Sequence, residues 1–309
     1  MKLHFHFRFV QLVAAVLTLS LPGPSVFSQT QKRLADAPSS ARQKVQPTRA
    51  FESGEELVYV GEFSRSLLKK VDVADFRFTA TRLPAVEKVS DKQRKNDEEP
   101  YLLKFTGDVT SKGFFAKLFN LKFRQQVESI VDPTSFTVTR TKKVDEQGKR
   151  ARISETTYND GKVVWVETDP NDATRPPRNV SASFVGQVQD VLSAIYFLRT
   201  QPLEVGKTFE ITVSDSGVVY KVPLKVVEKK TKKSVLGRLE SFRVDADVFG
   251  PDRLLSGDGQ FSIWLTADNR QIPVGARIKI KYGTFDINLR KINRPTGHET
   301  LASTKTEYR

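Results

Sequence analysis

From Thr208 to Arg290 the apolar residues keep to every second position. Phe209, Ile211 and Val213 oppose Glu210, Thr212 and Ser214; Val218, Tyr220, Val222, Leu224 and Val226 share a face against Lys221 and Lys225. Phe242, Val244, Ala246 and Val248 oppose Ser241, Arg243, Asp245 and Asp247. Phe261, Ile263 and Leu265 follow the same rule with Trp264 on the second face, then Ile278, Ile280 and Tyr282, then Phe285, Ile287 and Leu289. A period of two is the period of a β-strand. One apolar and one polar face per strand marks an antiparallel sheet covered on a single side. Twisted strands of this length, joined by short turns such as Asp215-Ser216-Gly217, curl. The expectation is a mainly β fold: a curved antiparallel sheet, as a half-barrel or open barrel.

One stretch breaks the rule. Val191, Leu192, Ala194, Ile195, Phe197 and Leu198 are apolar nearly all round a helix. Asp190 suits the N-cap and Pro202 forbids continuation. A helix without a polar face needs apolar neighbours on several sides. Residues 190–199 are therefore expected to form a short buried helix that fills the concave side of the sheet.

The first half of the chain is less regular. Leu57, Tyr59, Gly61 and Phe63 share one parity, as do Phe76, Phe78 and Ala80. Strand character resumes at 101–109, 127–131 and 135–141, and Asn159-Asp160-Gly161 joins 151–158 to 162–167 as a hairpin. Residues 84–100 form a charged insertion and 169–179 a loop. Residues 113–124 mix Phe114, Phe115, Phe119 and Phe123 with Lys117, Lys122 and Arg124, which suits either a core edge with snorkelling lysines or a basic-aromatic membrane contact.

Outside this body, residues 1–28 read as a secretory signal, with Lys2 and Arg8 ahead of an apolar run too short to span a bilayer. Residues 29–50, rich in Gln, Ala, Ser and Pro, read as a disordered linker; 51–293 form a single β-rich domain, and 294–309 a polar tail. The expected location is the bacterial periplasm or envelope. The chain has no cysteine, which excludes disulfides, thiolate metal sites and a lipid-modified cysteine. The fold must be held by its core alone. A formal charge of +14 favours anionic partners. The cations, however, are interleaved with acids, as on an ordinary solvated surface, and no nucleic-acid partner is expected.

Catalytic options are few. Of three histidines, His4 and His6 lie in the signal and His298 in the tail, so neither a Ser-His-Asp arrangement nor a His-rich metal site is expected. No phosphate-cradling glycine loop is present; Gly206-Lys207-Thr208 lacks the first glycine and the helix of one. The residues singled out for a ligand are Asp190, Arg199, Trp264 and Asp268. Asp190 and Asp268 would be the paired carboxylates of a glycan hydrolase, or else an N-cap and a turn residue. Arg199 would complement the helix dipole and bond the last carbonyls. Trp264 would stack on a ligand or cover the outer side of the sheet.

Asp190-Val-Leu-Ser193, Tyr196-Phe-Leu-Arg199, Pro202-Leu203, Val205-Gly-Lys-Thr-Phe209, Gly259, Trp264-Leu265, Asp268, Arg270, Pro273-Val274 and Gly283 together resemble the bacterial exported family known as domain of unknown function 3108, and 54–59 is similar to that family's first strand. The resemblance implies a mostly antiparallel β fold and brings no activity, cofactor or catalytic residue. The functional expectation is an exported envelope protein acting as a non-catalytic binding or scaffold module, with a lipid or an anionic surface polymer as partner and no cofactor. The alternative is a carboxylate-dependent hydrolase of envelope glycans. A helix that fills the concave side leaves no room for a lipid, so the volume left beside it separates carrier from scaffold.

Overall fold

The sheet is built outward from its first strand. β1 (Glu55–Arg65) pairs antiparallel with β2 (Leu68–Pro84) on one side and with the last strand, β15 (Gly283–Asn293), on the other. The computed structural model describes residues 51–84, 100–113 and 122–294. The signal, the linker, residues 85–99 of the charged insertion, residues 114–121 of the aromatic-basic segment and the tail beyond 294 lie outside the described residues.

From β2 the chain meanders outward through β3 (Tyr101–Ser111), β4 (Phe123–Val131), β5 (Val138–Gln147), β6 (Arg150–Asn159), β7 (Lys162–Thr168) and β8 (Arg178–Ser183). It crosses to the far edge through β9 (Gln189–Asp190) and the one helix among the described residues, α1 (Val191–Leu198). It then returns through β10 (Thr208–Asp215), β11 (Val218–Ser234), β12 (Gly237–Ala246), β13 (Gly259–Thr266) and β14 (Pro273–Ile280) to β15. All are neighbours in one 15-stranded sheet, β8-β7-β6-β5-β4-β3-β2-β1-β15-β14-β13-β12-β11-β10-β9. Every pairing is antiparallel except the short β9–β10 pair.

The sheet is open, because β8 and β9 are its edges. Its twist nevertheless brings the two arms together. The β10–β11 turn meets β8, where a Cβ on Gly217 would lie 2.7 Å from Val180 Cβ. Val138 N–H donates to Val188 O at 3.1 Å, and Lys143 reaches Asp215 at 3.7 Å. The expected curved antiparallel sheet is present.

Alternation places the core on the concave side. Leu57 faces Phe78, Tyr59 faces Phe76, Ile263 faces Val244, and Phe261 faces Ile278. The hairpin around Asp160-Gly161 is a two-residue turn between Asn159 and Lys162, with φ of 50° and 72°, the backbone that tight hairpins require.

Three strands extend beyond the expected boundaries. β8 occupies the end of the stretch expected to be loop; it is an edge strand with exposed Arg178, Asn179, Ser181 and Ser183, so it carries no apolar alternation to read. β5 runs on to Gln147 through charged residues. The outer half of the β11–β12 hairpin is lysine-rich and lies beside the outer face of the sheet, where Lys232 Nζ sits 3.9 Å from the Trp264 ring centre.

Candidate functional site: the cavity beside the helix

Asp190 begins α1 as its sequence type requires. Its carboxylate accepts from Ser193 N–H at 2.7 Å, while Ser193 Oγ accepts from Asp190 N–H at 2.9 Å, closing a reciprocal cap. Thr141 Oγ1 donates to the other carboxylate oxygen at 2.5 Å, which ties the helix start to β5.

The helix then splits its apolar surface between two neighbours. Leu192, Tyr196 and Phe197 are buried in the core, with the Tyr196 ring stacked on Phe105 at 3.9 Å and Phe197 5.7 Å from Phe136. Phe51 closes this cluster edge-on, 5.3 Å from Phe105 and 5.5 Å from Tyr196. Val191, Ala194, Ile195 and Leu198 face the other arm of the sheet. Between them and the sheet lies a cavity of about 160 Å³. Tyr59, Phe78, Ile211, Leu224, Ile263 and Ile278 are on its wall. The helix therefore fills only part of the concave side.

The polar atoms at this wall are already used. Burial pushes the Tyr59 phenol well above its ordinary pKa, so it keeps its proton and donates to Pro273 O at 2.8 Å. Asp215, the one charged residue lining the cavity among the described residues, is the partner of Lys143. What remains is an apolar surface suited to hydrocarbon.

At its other end α1 is held by a buried clasp. Arg199 caps the helix through its backbone N–H, which donates to Tyr196 O at 3.2 Å. Its guanidinium turns to Glu55 on β1, with Nη1 2.6 Å from Oε1 and Nη2 3.3 Å from Oε2, and both side chains are 0% exposed. Arg270 donates to the same carboxylate at 2.8 Å, and Arg199 Nε donates to Arg270 O at 3.2 Å. The carbonyl of Arg199 is taken instead by Gln271 Nε2 at 2.8 Å. The reason is burial: a guanidinium shut away from water needs a carboxylate more than it needs a helix dipole.

Asp268 shapes the turn that delivers Arg270 and Gln271. Its Oδ1 accepts from Thr266 Oγ1 at 2.7 Å and from the N–H groups of Arg270 and Gln271, each at 3.1 Å. Asp190 and Asp268 are thus at opposite ends of α1, each bonded to its own turn. Trp264 is on the outer face under Lys232 and Arg277. Burial and the nearby Arg277 hold the Lys232 ammonium below its ordinary pKa, with Asp286 acting in the opposite direction. The structure brings Arg199 and the Asp268 turn together, leaves Asp190 and Trp264 apart, and puts none of the four on the cavity wall.

Sequence reasoning passed over Glu55 and Gln125. Glu55 precedes the first strand pattern with no sign of its partner. Gln125 is on the inward face of β4, only 2% exposed, and among the described residues neither end of its amide finds a hydrogen-bond partner. Its parity with Phe123 and Val127 was the available signal.

A family model described as "Protein of unknown function (DUF3108)" matches residues 75–290. No curated protein matches the chain. Among solved structures the chain is similar to the "Crystal Structure of Beta-barrel-like Protein of Domain of Unknown Function DUF1849 from Brucella abortus", at 10% identity over 78% of this chain and 97% of that one, with a TM-score of 0.45.

Proposed function

We propose a function on one premise: the chain belongs to DUF3108, a family of proteins of unknown function. The protein is a non-catalytic binding module of the bacterial envelope that shelters the hydrocarbon chain of a lipid beside α1. The cavity carries this reading. Its wall is apolar, and apolar surface left uncovered forgoes roughly 25 cal/mol per Å² that a bound hydrocarbon would recover. A chain without cysteines has no disulfide to offset such a loss. A void of similar size in an engineered core stays dry and takes up benzene, so this one has room for about six to eight carbons. Among the described residues, the wall places no free charge against them. Export rests on residues 1–28, whose basic start and short apolar run have the form of a cleaved signal.

Native mass spectrometry of the protein purified from its own envelope tests the proposal. The expected spectrum shows an acyl-bearing adduct on the wild type. Ala194→Phe, which fills the cavity from the helix side, loses the adduct while its circular dichroism is unchanged. A clean apo mass for the wild type would overturn the carrier reading and leave a scaffold.

A further inference from the structure

One end of the sheet presents two leucines to water beside several lysines. Leu67, in the turn between β1 and β2, is 99% exposed, and Leu68 beside it is 50% exposed. No large hydrophobic residue among those described is more exposed than Leu67. Arg65, Lys69 and Lys70 flank the pair and are themselves exposed. The register brings a second turn to the same place. Ser64 pairs with Thr284, and Lys279 with Thr284, so Lys279, Lys281 and Tyr282 stand next to the leucine turn. The two turns touch, since a Cβ on Gly283 would lie 2.6 Å from Ser64 O.

Several cations elsewhere on the outer face are matched. Arg124 pairs with Asp108 at 2.8 Å, Arg140 with Glu155 at 2.7 Å and Arg277 with Asp286 at 2.6 Å. Among the described residues, Lys69, Lys70, Lys279 and Lys281 have no carboxylate within ion-pair distance. Two leucines in water and four lysines without counter-charges therefore share one tip.

We infer that this tip docks on the surface of an anionic lipid bilayer. Leu67 and Leu68 enter the boundary between headgroups and acyl chains, and Lys69, Lys70, Lys279 and Lys281 face the lipid phosphates. Interfacial binding draws on both terms, apolar area inserted and attraction to anionic lipid. The lysines alone would suit any polyanion. The leucines decide for a bilayer, because a soluble polyanion offers them nothing apolar to enter. The inference does not depend on what the cavity holds.

The test is sedimentation of the purified protein with vesicles of phosphatidylcholine alone and of phosphatidylcholine mixed with phosphatidylglycerol. Binding is expected to the mixed vesicles, weaker at high salt because the charges are screened. Lys69→Glu with Lys281→Glu lowers the partition coefficient more than about tenfold, since each surface lysine contributes roughly fivefold. Leu67→Ser with Leu68→Ser also weakens vesicle binding and leaves binding to heparin unchanged. All four positions are exposed, so urea midpoints stay at the wild-type value and report that the variants fold. Equal sedimentation with both vesicles, sedimentation with neither, or wild-type vesicle binding by the leucine variant would each overturn the inference.

Discussion

Arg199 shows how one side chain can bind three parts of a chain at once. It ends α1, pairs with Glu55 across 144 residues, and meets the backbone of Arg270. Removing one member of a buried pair strands the other charge, so Arg199→Met is expected to cost about 3 kcal/mol, at the lower end for such losses because Arg270 stays on Glu55. Adding Glu55→Gln should recover part of that loss; urea midpoints of the single and double variants check both. Asp145, opposite Gln125 on β5, gives a pH-dependent case. Burial raises its carboxyl pKa from the ordinary value, with Lys143 and Arg150 pulling it back. The folded protein thus holds this proton at pH values where the unfolded chain has released it. Stability from this group falls as pH rises from the ordinary value toward the raised one, and the penalty persists above. Asp145→Asn should therefore be more stable than wild type at neutral pH and gain nothing below pH 3.8, the ordinary value, as read from melts across pH. At this scale the caps were legible and the clasp was not. Asp190 and Asp268 declare themselves by residue type beside a turn, whereas nothing local to Glu55 names its partner.

At the scale of elements, α1 is the piece on which both arms of the sheet depend. One face is packed into aromatic rings and the other borders the cavity. Phe197→Ala removes a ring from the packed face and is expected to lower stability by about 3–5 kcal/mol; a urea midpoint equal to that of wild type would mean the helix is peripheral. The helix was readable because six apolar residues without period two, between a cap and a proline, fit no strand. The strands after Thr208 were readable because one face is wet and the other dry. β8 was not, since an edge strand with exposed polar residues leaves no contrast between faces. The outer half of the β11–β12 hairpin was missed for a related reason: its lysines look solvated, yet Lys232 covers Trp264.

For the whole molecule, the decisive contact is the one between arms that share no hydrogen-bonded edge. Gly217 makes it, at φ +81° with Val180 against it. Gly237 has a similar conformation, φ +96°, and a Cβ there would meet nothing within 4 Å. Gly237→Ala is expected to cost about 1–2 kcal/mol in backbone strain alone. Gly217→Ala should cost about 1–3 kcal/mol more, because the methyl also pushes β8 away, and the difference between the two thermal melts measures the closure. The sequence by itself determined the sheet, its polar and apolar faces and the helix between its halves, because periodicity and caps act over a few residues. The tertiary structure alone decided how far the sheet curls, that the helix falls short of filling it, that Glu55 meets Arg199, and that two basic turns share one tip. Those outcomes depend on accumulated twist and on pairings between distant strands, which no local pattern records.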